Sequence, residues 1–202
     1  MARRKTAKVS KAAREQRFRL EVYEWIHCLI IALVVCVITF VFFIRIIDVS
    51  GTSMNPTLNN GDKMLVSNVL YKPKAGDIVV FKKDSYDPNK ALVKRVIATE
   101  GQVININFET GAVFVDGVEL KEDYIRDLTY NKLDFIGPQT VPEGCVFVMG
   151  DHRNNSTDSR RFGEISVESI LGKVLLRVYP LRDFGAPAPL PEKKEERGSY
   201  GS

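Results

Sequence analysis

The chain has 202 residues, with 29 Lys or Arg against 25 Asp or Glu and a net charge of +4. This length allows one globular domain of ordinary size beside a short leader and an apolar segment. The chain has three cysteines without a CxxC motif and only two histidines. This composition argues against a Cys/His zinc site and an internal disulfide framework, and we expect no metal or other cofactor.

Residues 1–24 begin with a strongly basic leader, in which eight Lys or Arg stand against the single acid Glu15 in the first nineteen positions. Positive flanks of a membrane segment stay in the cytoplasm, so this pattern predicts a cytoplasmic leader. A nucleic-acid-binding arm is the alternative. Beside an apolar run, lipid headgroups and the orientation rule already account for the charge, so no nucleic-acid partner is expected.

The apolar run extends from Trp25 to Ile47. As a helix it would cover ~35 Å, enough to cross a ~30 Å hydrocarbon layer with some tilt. A cleavable secretory signal has the same order of basic and apolar parts, but this run is longer and no small-x-small site follows it. We therefore predict a single-pass anchor over 25–47 in a cell membrane, with an extracytoplasmic domain over 48–181.

From residue 61 onward the chain shows the pattern of strands. Runs of β-branched and aromatic residues alternate with turn signals such as N-N-G-D and P-E-G. The predicted strands are 63–67, 77–81, 92–98, 103–107, 112–115, 145–149 and 170–178. Asp116-Gly117 predicts a tight hairpin. The predicted fold class is mainly β, an antiparallel domain with two sheets or a partly open barrel.

Two segments give weaker patterns. Residues 121–138 mix charged and aromatic side chains, which fits a short excursion or a loop. Residues 182–202 are rich in Pro, Ala, Gly, Lys and Glu and contain few apolar groups. Such a composition cannot offset the entropy of ordering, so we expect a disordered tail.

The first chemical motif is S-G-T-S-M-N-P-T-L at 50–58. Small residues before Ser53 allow its hydroxyl and its own N–H to approach a substrate carbonyl together. Taken alone, the motif is more typical of a Ser/Gly/Pro-rich loop that leaves the membrane.

The second motif is K-A-L-V-K-R-V-I-A at 90–98. Side chains alternate along a strand, so Lys94 and Arg95 lie on opposite faces. An ammonium packed among aliphatic groups has a lowered pKa, and a neutral lysine can act as a general base. Periodicity leaves open which of the two cations is buried and which reaches solvent.

The third motif is M-G-D-H-R-N-N-S-T-D-S-R-R-F-G at 149–163. Its hydroxyls, carboxylates and guanidinium groups suit a hydrogen-bonded scaffold beside a reactive site. It lacks the D-x-D-x-D-G spacing of a calcium loop. A solvated polar turn is the structural alternative.

In this order after an apolar anchor, the motifs resemble those of bacterial type I signal peptidases, the membrane-bound Ser-Lys proteases. The resemblance covers Ile47 to Val178. The matching blocks are S-M-N-P-T-L, G-D-K-M-L-V with G-D-I-V-V-F, V-K-R-V-I, and G-D-H-R-N-N-S-T-D-S-R. It implies a serine endopeptidase that removes signal peptides from exported preproteins at Ala-x-Ala-type sites, beside the bilayer and near the protein-export channel.

The resemblance also implies roles for individual residues. Ser53 would be the nucleophile, with its backbone N–H in the oxyanion hole, and Lys94 would be the general base. Ser156 would hydrogen-bond and orient Lys94. Four charged residues would support the site, and five apolar residues would line shallow substrate pockets. The supporting residues are Asp151, Arg153, Asp158 and Arg160, and the pocket residues are Ile47, Val49, Met54, Leu92 and Val93.

Two single positions and one turn depart from the family pattern, and the turn is A-T-E-G-Q at 98–102. Gly51 stands where some members carry a serine whose hydroxyl completes the oxyanion hole; the glycine is typical of Gram-positive-like members. His152 stands where asparagine is common, and we interpret it as a tolerated loop variant and not as a triad histidine.

Two other classes of function are considered. A self-cleaving Ser-Lys regulatory protease would carry a DNA-binding domain and an internal cleavage site, and neither is apparent. A non-catalytic membrane-anchored β-domain adaptor would tolerate alanine at Ser53 and Lys94.

Overall fold

The computed structural model describes residues 2–83 and 85–187, which form two separate units that divide after Ile44. The first unit consists of one long helix, α1, Ala2–Phe43. Its part Arg17–Ile38 is long and apolar enough to cross a membrane, with a mean hydropathy of 2.0, and none of it is buried. One N-terminal apolar helix therefore fits a transmembrane anchor.

The helix ends four residues earlier than the predicted anchor. Arg45–Asp48 form a strand that pairs with residues 63–66, so Ile46 and Ile47 belong to a sheet and not to the helix. The predicted anchor extended to Ile47 because residues 46 and 47 are apolar. Their strand partners lie further along the sequence, so a local pattern does not reveal the pairing.

The second unit is mainly β, as predicted. Within the described residues its strands are β1 (Arg45–Asp48), β2 (Lys63–Ser67), β3 (Ile78–Lys83), β4 (Asp87–Thr99), β5 (Val103–Asn107), β6 (Ala112–Val115), β7 (Val118–Glu119), β8 (Gln139–Thr140), β9 (Cys145–Met149), β10 (Ile165–Ser166) and β11 (Ile170–Tyr179). A short helix, α2, spans Ser159–Phe162, and 3-10 turns span Arg153–Asn155, Val167–Ser169 and Leu181–Asp183.

These strands form two antiparallel sheets, neither of which closes into a barrel within the described residues. The larger has the order β1-β2-β11-β3-β4-β9-β10, and the smaller has the order β7-β6-β5-β8. Both the fold class and the two-sheet arrangement are confirmed. β11 lies between β2 and β3 in the larger sheet. This sheet therefore depends on pairing between strands that are far apart in the sequence.

Both faces of the larger sheet are covered at β3, where successive side chains enter two different apolar clusters. Val80 packs in one apolar cluster with Met54 and Leu58, whereas Val79 and Phe81 pack in another on the opposite face. Successive side chains of a strand point to opposite faces, so a strand covered on both sides is apolar at every position. A third cluster joins the end of β4 to the smaller sheet.

The predicted hairpin at Asp116-Gly117 is confirmed. Val115 pairs directly with Val118, so Asp116 and Gly117 form the two-residue loop. Their φ angles are 54° and 78°, the left-handed conformation that a two-residue type I′ turn requires at both positions.

Residues 121–138 form a loop in which Tyr124, Thr129 and Phe135 are buried. The start of the predicted disordered tail, residues 182–187, lies within the described chain, and there Gly185 and Arg177 exchange two backbone hydrogen bonds. The tail positions 188–202 lie outside the described residues.

Candidate active site

The turn that carries Ser53 is fastened at both ends. Val49 donates a backbone hydrogen bond to Asp62, and Gly61 donates one back to Val49. On the far side Met54 and Leu58 are buried in the core with 2% and 0% exposure. Gly51 has a φ of 99°, which favours glycine. The turn therefore presents Ser53 between two anchored segments.

β4 brings Lys94 to this turn. Lys94 pairs across the ladder with the fully buried Val79, and only 3% of its surface is exposed. Its Nζ lies 2.6 Å from Ser53 Oγ, although the two residues are 41 positions apart. The structure thus brings together the two side chains that the motifs singled out.

Burial lowers the pKa of Lys94 from 10.5 to about 8. The negative charges of Asp158 and Asp151 act in the opposite direction and raise it, and the positive charges of Lys90 and Arg160 lower it further. Desolvation dominates because an ammonium loses its hydration in a low-dielectric site. An amine with this pKa is about one-tenth neutral at pH 7 and mostly neutral above pH 8.

Arg95 is also buried, with 0% exposure, so both adjacent cationic residues of β4, Lys94 and Arg95, are removed from solvent. Its Nε and Nη2 donate to the two carboxylate oxygens of Asp151 at 2.9 and 2.7 Å. Thr57 donates to Asp151 at 2.5 Å. The three residues join β4, the third motif and the turn four residues after the candidate nucleophile.

Asp158 and Arg160 form a second buried pair. Arg160 Nε and Nη2 donate to the two oxygens of Asp158, each at 2.8 Å. Burial alone would raise the pKa of Asp158, but the hydrogen bonds and charge of Arg160 outweigh it and hold this pKa below its ordinary value. Asp158 also accepts from the Gly150 N–H at 3.0 Å. The carboxylate therefore stays ionised and shapes the loop.

Arg153 forms its ion pair with Glu122 and not with Asp151, the nearby acid of the same loop. Its guanidinium nitrogens lie 2.6 and 2.5 Å from the carboxylate oxygens of Glu122. The Arg160 Nη2 in turn donates to the Arg153 carbonyl at 2.6 Å. The pair links the 150–160 loop to the loop at 121–138.

Ser156 is buried beside the site, with 8% exposure. No hydrogen bond joins its Oγ to Lys94 among the described residues, so the predicted bond is not formed in this structure. The hydroxyl instead helps to hold the pKa of Asp158 below its ordinary value. The hydroxyl packs against Gly150, where a side chain would clash with it.

The site also contains residues that sequence reasoning did not assign to it. Thr57 and Arg95 lie inside the quoted motifs, but only their partners reveal their role. Glu122 comes from a segment without a clear pattern, and no local signal identifies it. Asn155 donates to Thr52 Oγ1 at 3.0 Å and lines the cleft described below.

A cleft of about 470 Å³ opens beside Ser53 and Lys94. All five apolar residues predicted as pocket lining border it, together with Tyr86, Lys90 and Asn155. The Ser53 N–H has no hydrogen-bond partner among the described residues. A reactive carbonyl in this cleft would meet a serine hydroxyl, a backbone donor and a desolvated amine, the set required for acyl transfer. Among the described residues, no cluster of His, Cys, Asp or Glu could hold a metal ion.

The family model described as "Signal peptidase, peptidase S26" matches residues 22–179. "Probable signal peptidase I-1" of a Synechocystis species is 38% identical over 171 residues, which cover 80% of this chain and 85% of that protein. "Signal peptidase IB" of Staphylococcus aureus is 32% identical over 185 residues, covering 81% and 93%. "Signal peptidase I" of Bacillus caldolyticus is 34% identical over 171 residues, covering 74% and 88%.

Among solved structures, a signal peptidase I from Enterococcus faecalis V583 aligns with a TM-score of 0.43 and 30% sequence identity. The alignment covers 52% of this chain and 97% of that one.

Proposed function

Because the chain belongs to the signal peptidase I family of peptidase S26, serine endopeptidases that cleave signal peptides from preproteins, we propose that it does so with Ser53 and Lys94. The observation that carries this proposal is the 2.6 Å contact between Ser53 Oγ and the amine of a lysine residue that is 3% exposed. A neutral amine at this distance can accept the hydroxyl proton directly.

The reaction proceeds in two halves. Ser53 Oγ bonds to the scissile carbonyl carbon while its proton passes to Lys94, and the carbonyl oxygen becomes an oxyanion. The C–N bond then breaks, and Lys94 returns the proton to the leaving amine. Lys94 next takes a proton from water, whose oxygen attacks the ester carbonyl. The bond to Ser53 Oγ then breaks, Lys94 returns the proton to Oγ, and the signal peptide leaves with a new carboxyl group. The Ser53 N–H stabilises the oxyanion, a contribution of about 3 kcal/mol at comparable sites.

The surrounding residues hold this geometry. Ser156 orients Lys94 during the reaction, and the burial of its side chain beside the site, against Gly150, is the supporting observation. Asp158 with Arg160 and Asp151 with Arg95 are charge pairs that keep the loop and β4 in place. Arg153 contributes through Glu122. None of these charged groups is required to exchange a proton with substrate.

The open edge of β4 supports binding of an extended signal peptide. β3 pairs with β4 from Ala91 to Arg95, but β9 pairs with it only from Arg95 onward. Within the described residues, Ala91 to Lys94 therefore have no strand partner on the side that β9 leaves uncovered. A substrate strand can add there, with alternate side chains entering the cleft. The cleft is lined by Ile47, Val49, Met54, Leu92 and Val93, which favour small residues of the Ala-x-Ala type.

The basic leader supports an orientation in which residues 1–24 are cytoplasmic, α1 is the anchor and the β unit lies outside the cell membrane. In that orientation the enzyme meets preproteins beside the bilayer, near the protein-export channel.

The test uses the full chain in detergent and a secretory preprotein with an Ala-x-Ala site, with both products identified by mass spectrometry. We expect Ser53→Ala and Lys94→Ala to abolish cleavage at that site. Lys121→Ala is the matched control, because this lysine is exposed and its ion pair among the described residues is with the equally exposed Asp123 at 3.2 Å. Cleavage at the normal rate by either active-site variant would show that the dyad mechanism is wrong.

A further inference from the structure

We propose that His152 is a positioning residue that orients the Thr52–Ser53 peptide so that the Ser53 N–H faces the scissile carbonyl. The inference rests on the peptidase activity proposed above. It gives His152 a role in the reaction that differs from both a tolerated loop variant and a proton-transferring histidine.

His152 contacts two consecutive carbonyls of the nucleophile turn. Its ring Nδ1 lies 3.2 Å from the Thr52 carbonyl oxygen, and its backbone N–H donates to the Ser53 carbonyl at 3.0 Å. A carbonyl oxygen can only accept, so the ring contact is a hydrogen bond when Nδ1 carries the proton. No hydrogen bond joins the ring to Ser53 Oγ among the described residues, which separates His152 from a general base.

The ring is itself held in place. Only 16% of the His152 side chain is exposed, and its Nε2 lies 3.6 Å from an Asp127 carboxylate oxygen. Residues 127 and 152 also form a backbone bridge. The imidazole thus has a carboxylate at one edge and the nucleophile turn at the other.

The ring contact and the Asn55 N–H, which donates to the same Thr52 carbonyl at 3.1 Å, together determine where the Ser53 N–H points. The Thr52 carbonyl and the Ser53 N–H belong to one planar trans peptide, in which C=O and N–H point in opposite directions. A donor that fixes the carbonyl on the His152 side therefore fixes the N–H on the other side. Rotation of this single peptide plane would remove the donor from the oxyanion without moving the Ser53 side chain far.

This orientation is important because Gly51 offers no hydroxyl as a second donor. The Asn155 amide holds the Thr52 hydroxyl at 3.0 Å, but it does not contact the Thr52 carbonyl. The Asn55 backbone N–H also donates to that carbonyl, at 3.1 Å. Among the described side chains, His152 is the one that donates to it.

Substitutions at His152 distinguish the loss of a hydrogen-bond donor from the loss of side-chain volume. His152→Asn places an amide N–H close to the position of Nδ1, whereas His152→Asp offers acceptors only and His152→Ala offers neither. We expect His152→Ala and His152→Asp to lower kcat roughly 10- to 100-fold, less than the 10²–10³-fold loss of a complete oxyanion donor. KM should stay nearly constant, and His152→Asn should retain kcat, because the peptide plane is held through the same hydrogen bond.

A peptide aldehyde ending in alanine gives a second readout. Ser53 Oγ bonds to the aldehyde carbon, the π pair moves to the carbonyl oxygen, and the hydroxyl proton passes to Lys94. This adduct needs the oxyanion donor, but the corresponding peptide alcohol does not. We expect His152→Ala to weaken aldehyde binding by a factor close to its loss of kcat and to leave alcohol binding unchanged.

Asn154→Ala is the matched control in the same loop. The Asn154 side chain bonds to Leu128, Tyr130 and Asn131 and not to the nucleophile turn, so this variant should keep its kcat. The proposal is overturned if His152→Ala cleaves normally, if His152→Asn is as slow as His152→Ala, or if Asn154→Ala shows the same loss.

The same experiment distinguishes this proposal from the proposed function. If Ser53→Ala is inactive and His152→Ala retains full activity, only the role of His152 fails. If the unmodified chain does not cleave the preprotein at all, the proposed function fails, and the role of His152 fails with it.

Discussion

Gly150 lies directly against the hydroxyl of Ser156. A methyl group on Gly150 would come within 2.3 Å of Ser156 Oγ and 2.5 Å of the Ser53 carbonyl oxygen. Two active-site segments therefore meet across a backbone that has no room for a side chain. We expect Gly150→Ala to lower kcat roughly 10- to 100-fold, because a displacement of about 1 Å misaligns the reacting groups. Overpacking should also lower the free energy of unfolding by about 1–3 kcal/mol, measured by urea denaturation.

The control for Gly150→Ala is Gly144→Ala. A methyl group there would meet nothing within 4 Å, but the φ of 66° is strained for alanine. This variant should lose about 1 kcal/mol of stability and keep its kcat. Equal kcat in the two variants would contradict a close approach at Gly150.

The pH dependence of cleavage should follow Lys94. Burial lowers its pKa to about 8, and only the neutral amine can accept the Ser53 proton. We therefore expect kcat/KM to rise with pH through about 8 and then to level off. The rise is measured with a preprotein whose cleavage site contains no titratable group. An increase that occurs only near the ordinary lysine pKa of 10.5 would mean that burial does not tune this amine.

Lys94→Met should be inactive but more stable than the unmodified chain at pH 7. The folded state lowers the pKa of Lys94 from 10.5 to about 8, so between these values the unfolded chain binds more protons and stability rises with pH. Below pH 8 the full destabilisation is present, with an upper value of about 3 kcal/mol.

We therefore expect Lys94→Met to gain about 1–3 kcal/mol at pH 7 and progressively less towards pH 10.5, measured by urea denaturation across this range. Lys121→Met is the control at an exposed position, and it should show no such pH dependence. A gain at Lys94 that is constant with pH would come from packing and not from the buried charge.

Lys90 should adjust the same titration from a distance. It lines the cleft, and its positive charge lowers the pKa of Lys94. Lys90→Gln should therefore move the rise in kcat/KM to higher pH by a fraction of a pH unit. Because Lys90 is exposed, 1 M salt should screen its charge and bring the two profiles together. A shift to lower pH would contradict the repulsion between the two amines.

Ser156→Ala separates orientation from stability. The Ser156 hydroxyl makes no well-formed hydrogen bond among the described residues and interacts with Asp158, so its removal should lower the free energy of unfolding by less than about 1 kcal/mol. If the hydroxyl accepts Lys94 as its partner when the proton moves, kcat should fall roughly 10-fold. An unchanged kcat with unchanged stability would show that Ser156 fills space beside the lysine and does not orient it.

Much of the fold followed from local patterns. Runs of β-branched and aromatic residues between turn signals predicted 63–67, 103–107, 112–115 and 145–149 with the observed bounds, because such residues favour strands through their own side chains. The order of strands in the sheet was not predicted. β11 inserts between β2 and β3, which depends on shape and packing over more than a hundred residues of chain.

Some residues of the candidate site were predicted and others were not, because contacts between distant segments are not visible in local sequence patterns. Motif resemblance identified Ser53 and Lys94, but the strand pattern could not show that Lys94 and Arg95 would both be buried. Arg95 finds its partner Asp151 56 residues away, and Arg153 finds Glu122 31 residues away. Buried charges need specific partners, and only folding brings those partners together.

The sequence by itself determined the apolar helix, the strands and the chemical groups available for catalysis, because each depends on composition or on neighbours a few residues apart. The tertiary structure alone decided the state of those groups. It buried Lys94 against Val79 and lowered its pKa to about 8, and it placed the amine 2.6 Å from Ser53. It also set the His152 ring against the Thr52 carbonyl. Desolvation and peptide orientation arise from packing between distant segments, so they exist only in the folded chain.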